Sequence, residues 1–170
     1  MENNFEQKFK KALDFLENSN MSSPNKPALP HVKRVGLYLY EKGFSDDVVI
    51  AGLLHDSLEW SESSEEEIKE KFGDKILEII KANSKDTSIE GTMNRARDMM
   101  KRCNELGDDA LAVKIADVND SCNYYKNIKN KKELDNYREF VKLLLDNMSD
   151  NLKQFFEDDL QKIHNLSKLD

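Results

Sequence analysis

The chain has only three histidines, His31, His55 and His164, and two of them stand where an imidazole can do chemistry. Leu53-Leu54-His55-Asp56 sets an imidazole beside a carboxylate directly after an apolar run. Neighbouring side chains on a helix point about 100° apart, so an ion in the wedge between them is within reach of both. Burying this pair without a partner is costly, and a cation offsets the cost. Downstream, Ala112-Val113-Lys114-Ile115-Ala116-Asp117-Val118 is an apolar stretch interrupted by Asp117. That carboxylate also needs a positive partner: either an ion, or simply Lys114 three residues before it. With His31 at a helix start after Pro30, the set is His31, His55, Asp56 and Asp117. Two imidazoles and two carboxylates suit Mn²⁺, Fe²⁺, Co²⁺ or Ni²⁺ with open positions for water, rather than a closed structural zinc site. Water on such an ion becomes a nucleophile near neutral pH. Glu59 lies four residues after His55 and three after Asp56, on the same helix face, where it can orient or deprotonate that water or protonate a leaving oxygen.

Plainer readings apply to the other reactive side chains. His164 sits in a polar stretch and reads as a surface residue, and Cys103 and Cys122 form no paired metal motif. The acidic run Glu65-Glu66-Glu67 reads as a helix N-terminus.

The elements that must position these residues read as helices. Phe5, Phe9, Leu13 and Phe15-Leu16 predict a first helix over about 4–17, and Asn, Ser and all three prolines make 18–30 a loop that delivers His31. A second helix is predicted from His31 to Lys42, closed by Gly43. The third, from Asp46 to about Glu59, is apolar nearly all round and therefore central, with Ser45 as its N-cap. Ser64-Glu65-Glu66-Glu67 is a capping-box start for a helix ending at Phe72-Gly73, and further helices are predicted over 74–82, 92–106, 108–126 and most of 132–166. No β-type alternation and no internal repeat is seen. The expectation is one all-α domain over residues 1–170, with a metal-site core over about 27–125 and a C-terminal helical extension over about 132–166.

The composition narrows the function. A net charge of −7 argues against a nucleic-acid binder, while a small pocket can still be locally positive. The two cysteines suit a reducing compartment, no long apolar run points to a membrane, and Met1-Glu2-Asn3-Asn4 lacks signal-peptide character; a cytoplasmic protein is expected. Oligomeric state is not legible.

The order His31, then Leu53-Leu54-His55-Asp56, then Lys114-Ile115-Ala116-Asp117 resembles the H…HD…D signature of the HD superfamily of phosphohydrolases. The resemblance covers roughly Pro27 to Tyr125 and is closest to the hydrolase domain of RelA/SpoT proteins and their small single-domain relatives. Ile50-Ala51-Gly52-Leu53-Leu54-His55-Asp56-Ser57-Leu58-Glu59 is similar to that subgroup's A-A-L-L-H-D-x-x-E-D segment, Glu67-Ile68 through Ile76 to its E-I…F-G-x-x-V stretch, and Val113 to Asp117 to its V-K-L-A-D motif. The resemblance implies an all-helical HD-type bundle that usually holds Mn²⁺ and uses water to attack phosphorus, in that subgroup releasing pyrophosphate from the 3′ position of a guanine nucleotide. By position, it implies His31, His55, Asp56 and Asp117 as metal ligands and Glu59 as the residue handling the catalytic water.

The chain also departs from the subgroup. Trp60 replaces the second acid of its Glu-Asp pair, Asn25-Lys26 stands in place of a basic loop, Ala28 replaces a tyrosine, and Ser121 takes the place of an asparagine. Substrate contacts are expected from Arg95 and Arg97, on the helix where such enzymes keep phosphate-binding side chains, and from Lys114, Trp60 and Ser121. For the arginines a solvated helix face is the alternative, and for Trp60 the packing of a loop. The expected activity is hydrolysis of a small phosphorylated metabolite, a nucleotide or a (p)ppGpp-like nucleotide pyrophosphate. An HD-type nucleoside monophosphate phosphatase and a non-catalytic nucleotide-binding module are the alternatives.

Overall fold

A computed structural model describes residues 2–166, and among these residues every regular element is helical. The chain opens with α1 (Glu2–Lys8) and α2 (Lys10–Glu17), which the periodicity had joined into one helix. They part at Phe9 because two packing surfaces must be served. Phe5 and Phe9 turn onto Tyr40, with ring centroids 5.5 and 5.7 Å away, while Ala12, Leu13 and Leu16 are buried further on.

Helix α3 (Ala28–Glu41) begins three residues before the predicted start at His31. Pro30 occupies its third position, where a missing N–H has no intrahelical acceptor to lose. The first helical bond is made by His31 itself, whose backbone N–H donates to the Pro27 carbonyl at 3.2 Å. At the other end Gly43 takes φ +82°, and the amides of Gly43 and Phe44 close back onto the carbonyls of Tyr40 and Leu39. This is the glycine-terminated C-cap expected from the sequence.

The central helix is shorter than its pattern predicts. Helix α4 (Asp46–Leu54) stops before His55, and a separate turn of helix, α5 (Ser57–Trp60), follows. Asp56 sits at φ −94°, ψ 0°, so the chain bends at the His-Asp pair instead of running straight through it. Ser45 holds the N-cap position, although its hydroxyl makes no capping bond. At α6 (Glu65–Phe72) both bonds of the Ser64/Glu67 capping box are present. The remaining elements are α7 (Asp74–Asn83), α8 (Thr92–Leu106), α9 (Asp108–Asn127), α10 (Lys131–Asn147) and α11 (Asp150–Leu166). The predicted C-terminal helix is thus divided at Met148-Ser149.

Helix α9 is the axis of the assembly and packs against α3, α4, α7, α8, α10 and α11. Seven consecutive residues, Ala110 to Ala116, are buried, so the apolar run read from sequence lies in the core. Helices α10 and α11 add Phe140, Val141, Leu144, Leu152, Phe156 and Leu160 to the same core. Polar contacts lock α11 onto α3: the Tyr38 hydroxyl donates to Asp159 at 2.6 Å, and Lys42 reaches Asp159 at 2.8 Å.

The approach of α3 to α4 is what brings His31 beside His55, and two glycines permit it. A Cβ on Gly36 would lie 2.5 Å from Cγ of Leu53, a side chain with no exposed surface into which to retreat. A Cβ on Gly52 would likewise meet Leu39. Gly36→Ala should therefore lower stability, since overpacking costs about 1–3 kcal/mol against the roughly 1 kcal/mol by which helices prefer alanine. In a Leu53→Ala background, itself about 2–5 kcal/mol destabilised, Gly36→Ala should instead be stabilising. Urea denaturation of the four proteins reads this sign reversal, and its absence would disprove the contact.

Candidate metal centre and active site

Two helices and one bend deliver the predicted ligand residues to one point. His31 comes from the first turn of α3, His55 and Asp56 from the bend after α4, and Asp117 from the middle of α9. One ligand atom from each of His31, His55 and Asp117 lies within 4.8 Å of the others. Nε2 of His31 is 3.2 Å from Asp117 Oδ1 and 3.8 Å from Asp56 Oδ2. Nε2 of His55 is 3.7 Å from Asp117 Oδ1 and 3.5 Å from Asp56 Oδ1. Both imidazoles are buried, with relative exposures of 0% and 1%.

The far side of each ring explains its orientation. His55 Nδ1 lies 2.8 Å from the Gly52 carbonyl, an acceptor only, so this nitrogen carries the proton. His31 Nδ1 lies 2.6 Å from Asp120 Oδ2 and donates there in the same way. Both Nε2 atoms are then left buried with no hydrogen-bond partner. Two orphaned imidazole nitrogens facing two carboxylates have the chemistry of a metal donor set, so the residues present fit a divalent ion.

Sequence reasoning missed Asp120, which lies one helical turn beyond Asp117, and its second partner Arg34, one turn beyond His31. The Arg34 guanidinium donates to both Asp120 oxygens, at 2.7 and 3.0 Å. The available signal was the matching i, i+3 spacing on both helices, which is legible only once α3 and α9 are known to be neighbours.

Three lysines surround the acids. Lys114, itself buried, donates to Asp117 Oδ2 and to the Asn83 carbonyl, both at 3.1 Å. Lys26 reaches Asp117 Oδ1 at 3.4 Å and Ser121 Oγ at 2.5 Å, and the Ser121 hydroxyl faces Asp117 at 3.3 Å. Burial by itself raises the Asp117 carboxyl, but Lys114, Lys26 and the two imidazoles outweigh it and hold this group well below the ordinary carboxylate range. His55 is shifted upwards: burial lowers it, and the charges of Asp56 and Asp117 overcome that. Asp120 is lowered, with the burial penalty exceeded by its bonds from His31 and Arg34. Glu59 is held by Lys85, whose backbone N–H and Nζ donate to its two oxygens at 2.7 and 2.9 Å.

A cavity of about 70 Å³ opens beside this cluster, with Asp56, Glu59, Asp117, Lys26, Lys85 and Lys114 in its wall. Ser23, Asn25 and Trp60 also line it, as do Tyr125, Tyr137 and Phe140, so the C-terminal region contributes to the wall through α10. Trp60 has Lys85 over its ring at 5.6 Å, and its carbonyl accepts from the Ser22 amide, which ties the loop bearing Lys26 to the turn after α5.

The structure does not bring Arg95 or Arg97 to this cavity. Arg95 Nε donates to the Ile89 carbonyl at 2.6 Å and so secures the loop before α8. Arg97 is exposed and lines a separate shallow groove with Lys101 and Asn104. The reason is the rotation of α8: its buried face is Ala96, Met99, Met100 and Cys103. Of the three cations that do face the acids, Lys114 was legible on its helix, while Lys26 and Lys85 lie in loops with no periodicity to mark them. A larger groove of about 790 Å³ between α6, α7 and α8 contains none of the His/Asp cluster.

An all-helical bundle with a His…His-Asp…Asp cluster at its centre is the pattern of HD-type domains. The family model of the HD domain matches residues 10–139, and the chain belongs to the HD-domain family. It is similar to the guanosine-3′,5′-bis(diphosphate) 3′-pyrophosphohydrolase of Aquifex aeolicus, at 28% identity over 116 residues. That match covers 65% of this chain and only 17% of the Aquifex protein. Among solved structures, it shares its fold with a metazoan orthologue of SpoT described as hydrolysing ppGpp, with a TM-score of 0.71 and 22% identity over 95% of this chain and 96% of the other. A Listeria monocytogenes EGD-e protein is likewise similar, with a TM-score of 0.71 and 21% identity over 87% of this chain and 98% of that one. No helix among the described residues is long and apolar enough to cross a membrane.

The charge arrangement sets a pH dependence. In metal-free protein Asp117 and Asp120 both titrate below the unfolded carboxylate value of about 3.9. They contribute stability above that value, and the contribution is lost as pH falls through their lower folded values. Urea midpoints in chelator should fall between about pH 5 and pH 2, and Asp117→Asn should flatten the decline. An unaltered slope would show that Asp117 does not carry it. Lys114→Met, which leaves Asp117 with Lys26 as its remaining lysine, should lower stability at neutral pH by less than the roughly 3–5 kcal/mol of a buried charge left with no partner, as read by urea denaturation.

Proposed function

We propose that this chain is a divalent-metal-dependent phosphohydrolase acting on a nucleotide pyrophosphate of the ppGpp type. The observation that carries the reading is the pair of buried His31 and His55 Nε2 atoms, unpartnered and turned towards Asp56 and Asp117. These four residues would hold the ion; the mixed nitrogen and oxygen donors suit Mn²⁺, Fe²⁺, Co²⁺ or Ni²⁺, and the resemblance to the RelA/SpoT hydrolase domain singles out Mn²⁺ among them. Such an ion lowers the pKa of water and withdraws charge from phosphoryl oxygens.

The protein's own groups supply the rest. Glu59, on the cavity wall, takes the proton of the attacking water as its oxygen bonds to phosphorus. The phosphorus–oxygen bond to the ribose 3′ position breaks, pyrophosphate leaves, and the 3′ oxygen regains a proton. Lys26, Lys85 and Lys114 balance Asp56, Glu59 and Asp117 in charge, so a divalent ion turns the cavity positive and attractive to phosphate. A space of about 70 Å³ admits phosphoryl groups and not a whole nucleotide, whose pocket would span hundreds of Å³. The nucleoside then lies at the mouth, beside Trp60. The names of the Aquifex and metazoan relatives support the same substrate class.

The test joins metal analysis to product analysis. Purified protein supplied with Mn²⁺ should hold about one ion per chain and release pyrophosphate from ppGpp. His55→Ala and Asp56→Ala should lose metal and turnover together, whereas Glu59→Gln should keep the metal and lose roughly 10²–10⁴ in kcat. Orthophosphate from nucleoside monophosphates would assign a phosphatase instead. Bound nucleotide and metal with no product would assign a binding module, and failure to bind metal would end the proposal.

A further inference from the structure

We infer that Asp120, locked by Arg34, is a positioning residue that sets the metal affinity of the site through His31; this rests on the ligand reading above. The two candidate imidazoles are supported unequally. His55 leans on a neutral carbonyl, that of Gly52, at 2.8 Å, while His31 leans on a carboxylate at 2.6 Å. A carboxylate on Nδ1–H pushes electron density through the ring to Nε2 and makes that nitrogen the stronger donor to a cation.

The carboxylate is itself immobilised. Asp120 accepts from His31 Nδ1, Arg34 Nε and Arg34 Nη2, at 2.6, 2.7 and 3.0 Å, and its side chain is only 14% exposed. The guanidinium fork fixes its plane, which fixes the direction of the His31 ring. Helix α3 supplies His31 and Arg34, and α9 supplies Asp117 and Asp120, each pair three residues apart. Asp120 thus ties the two helices together at Nδ1 of the same imidazole whose Nε2 faces Asp117. Arg34 is half exposed and is not among the residues lining the cavity, and its guanidinium is committed to Asp120 through two bonds.

Mn²⁺ affinity, read by electron paramagnetic resonance of free Mn²⁺ during titration, tests the inference without reference to turnover. Asp120→Ala should weaken binding about 10–100-fold. Asp120→Asn, which keeps an acceptor for Nδ1–H and loses the charge, should fall between it and the unsubstituted protein. Arg34→Met should weaken binding by a smaller factor while leaving His31 and Asp120 in place. Should Asp120→Ala fail to fold, the other two variants carry the test, with circular dichroism melts of the metal-free proteins as the control for structure. Unchanged Mn²⁺ affinity in the folded Asp120 variants, while His55→Ala and Asp117→Ala lose the ion, would overturn this inference and leave the ligand set standing. No Mn²⁺ binding by the unsubstituted protein would overturn both.

Discussion

A largely enclosed carboxylate at the end of an apolar stretch of helix is the constraint around which this molecule is arranged. Asp117 lies in α9, the helix that packs against six others, and its charge has to be answered there. The answer comes from several directions: Lys114 on its own helix, Lys26 from the loop before α3 and the Ser121 hydroxyl one turn on, while two imidazoles turn their unpartnered Nε2 atoms towards it. Each is anchored elsewhere, Lys114 on the Asn83 carbonyl, His31 on Asp120 and His55 on Gly52. Electrostatic demand at one point is thereby converted into contacts among α3, the bend after α4, the end of α7, and α9.

The bend at His55-Asp56 is the second structural decision. A straight helix would direct adjacent side chains about 100° apart. Ending α4 at Leu54 leaves the Gly52 carbonyl accepting from the imidazole, while Asp56 sits near ψ 0° with its carboxylate within 3.5–3.8 Å of both Nε2 atoms. The close approach of α3 to α4 across Gly36 and Gly52 completes the geometry by setting the His31 and His55 rings 5.2 Å apart at a steep angle. Packing, backbone geometry and the proposed chemistry thus converge on a few residues.

The same arrangement gives the departures from the RelA/SpoT pattern a physical setting. Trp60 stands on the cavity wall where that subgroup has its second acid, and Lys85 lies over its ring while binding Glu59 through both backbone and side chain. Ser121 is in contact with both Lys26 and Asp117. The wall next to Glu59 is accordingly more cationic and more aromatic than a Glu-Asp pair would make it, which suits the approach of an anionic phosphate with a ring system at the mouth.

What the sequence determined by itself was whatever depends on neighbours along the chain. Helical periodicity, the capping box at Ser64, the glycine stop at Gly43 and the polar interruptions at His55-Asp56 and Asp117 all express rules that act over a few residues. They sufficed for the all-helical class and for bringing the four cluster residues under suspicion. Where those rules failed, a distant contact had intervened: the bend at Phe9 under Tyr40, and the halt of α4 before the His-Asp pair. Arg95 and Arg97 had the right chemistry on the wrong side of a helix whose rotation is set by Ala96, Met99 and Met100. Lys26 meets Asp117 across 91 residues of chain, and Asp120 meets His31 across 89. No local pattern encodes such a pairing, because it exists only after burial of the α3, α4 and α9 faces has fixed how those helices lie against one another.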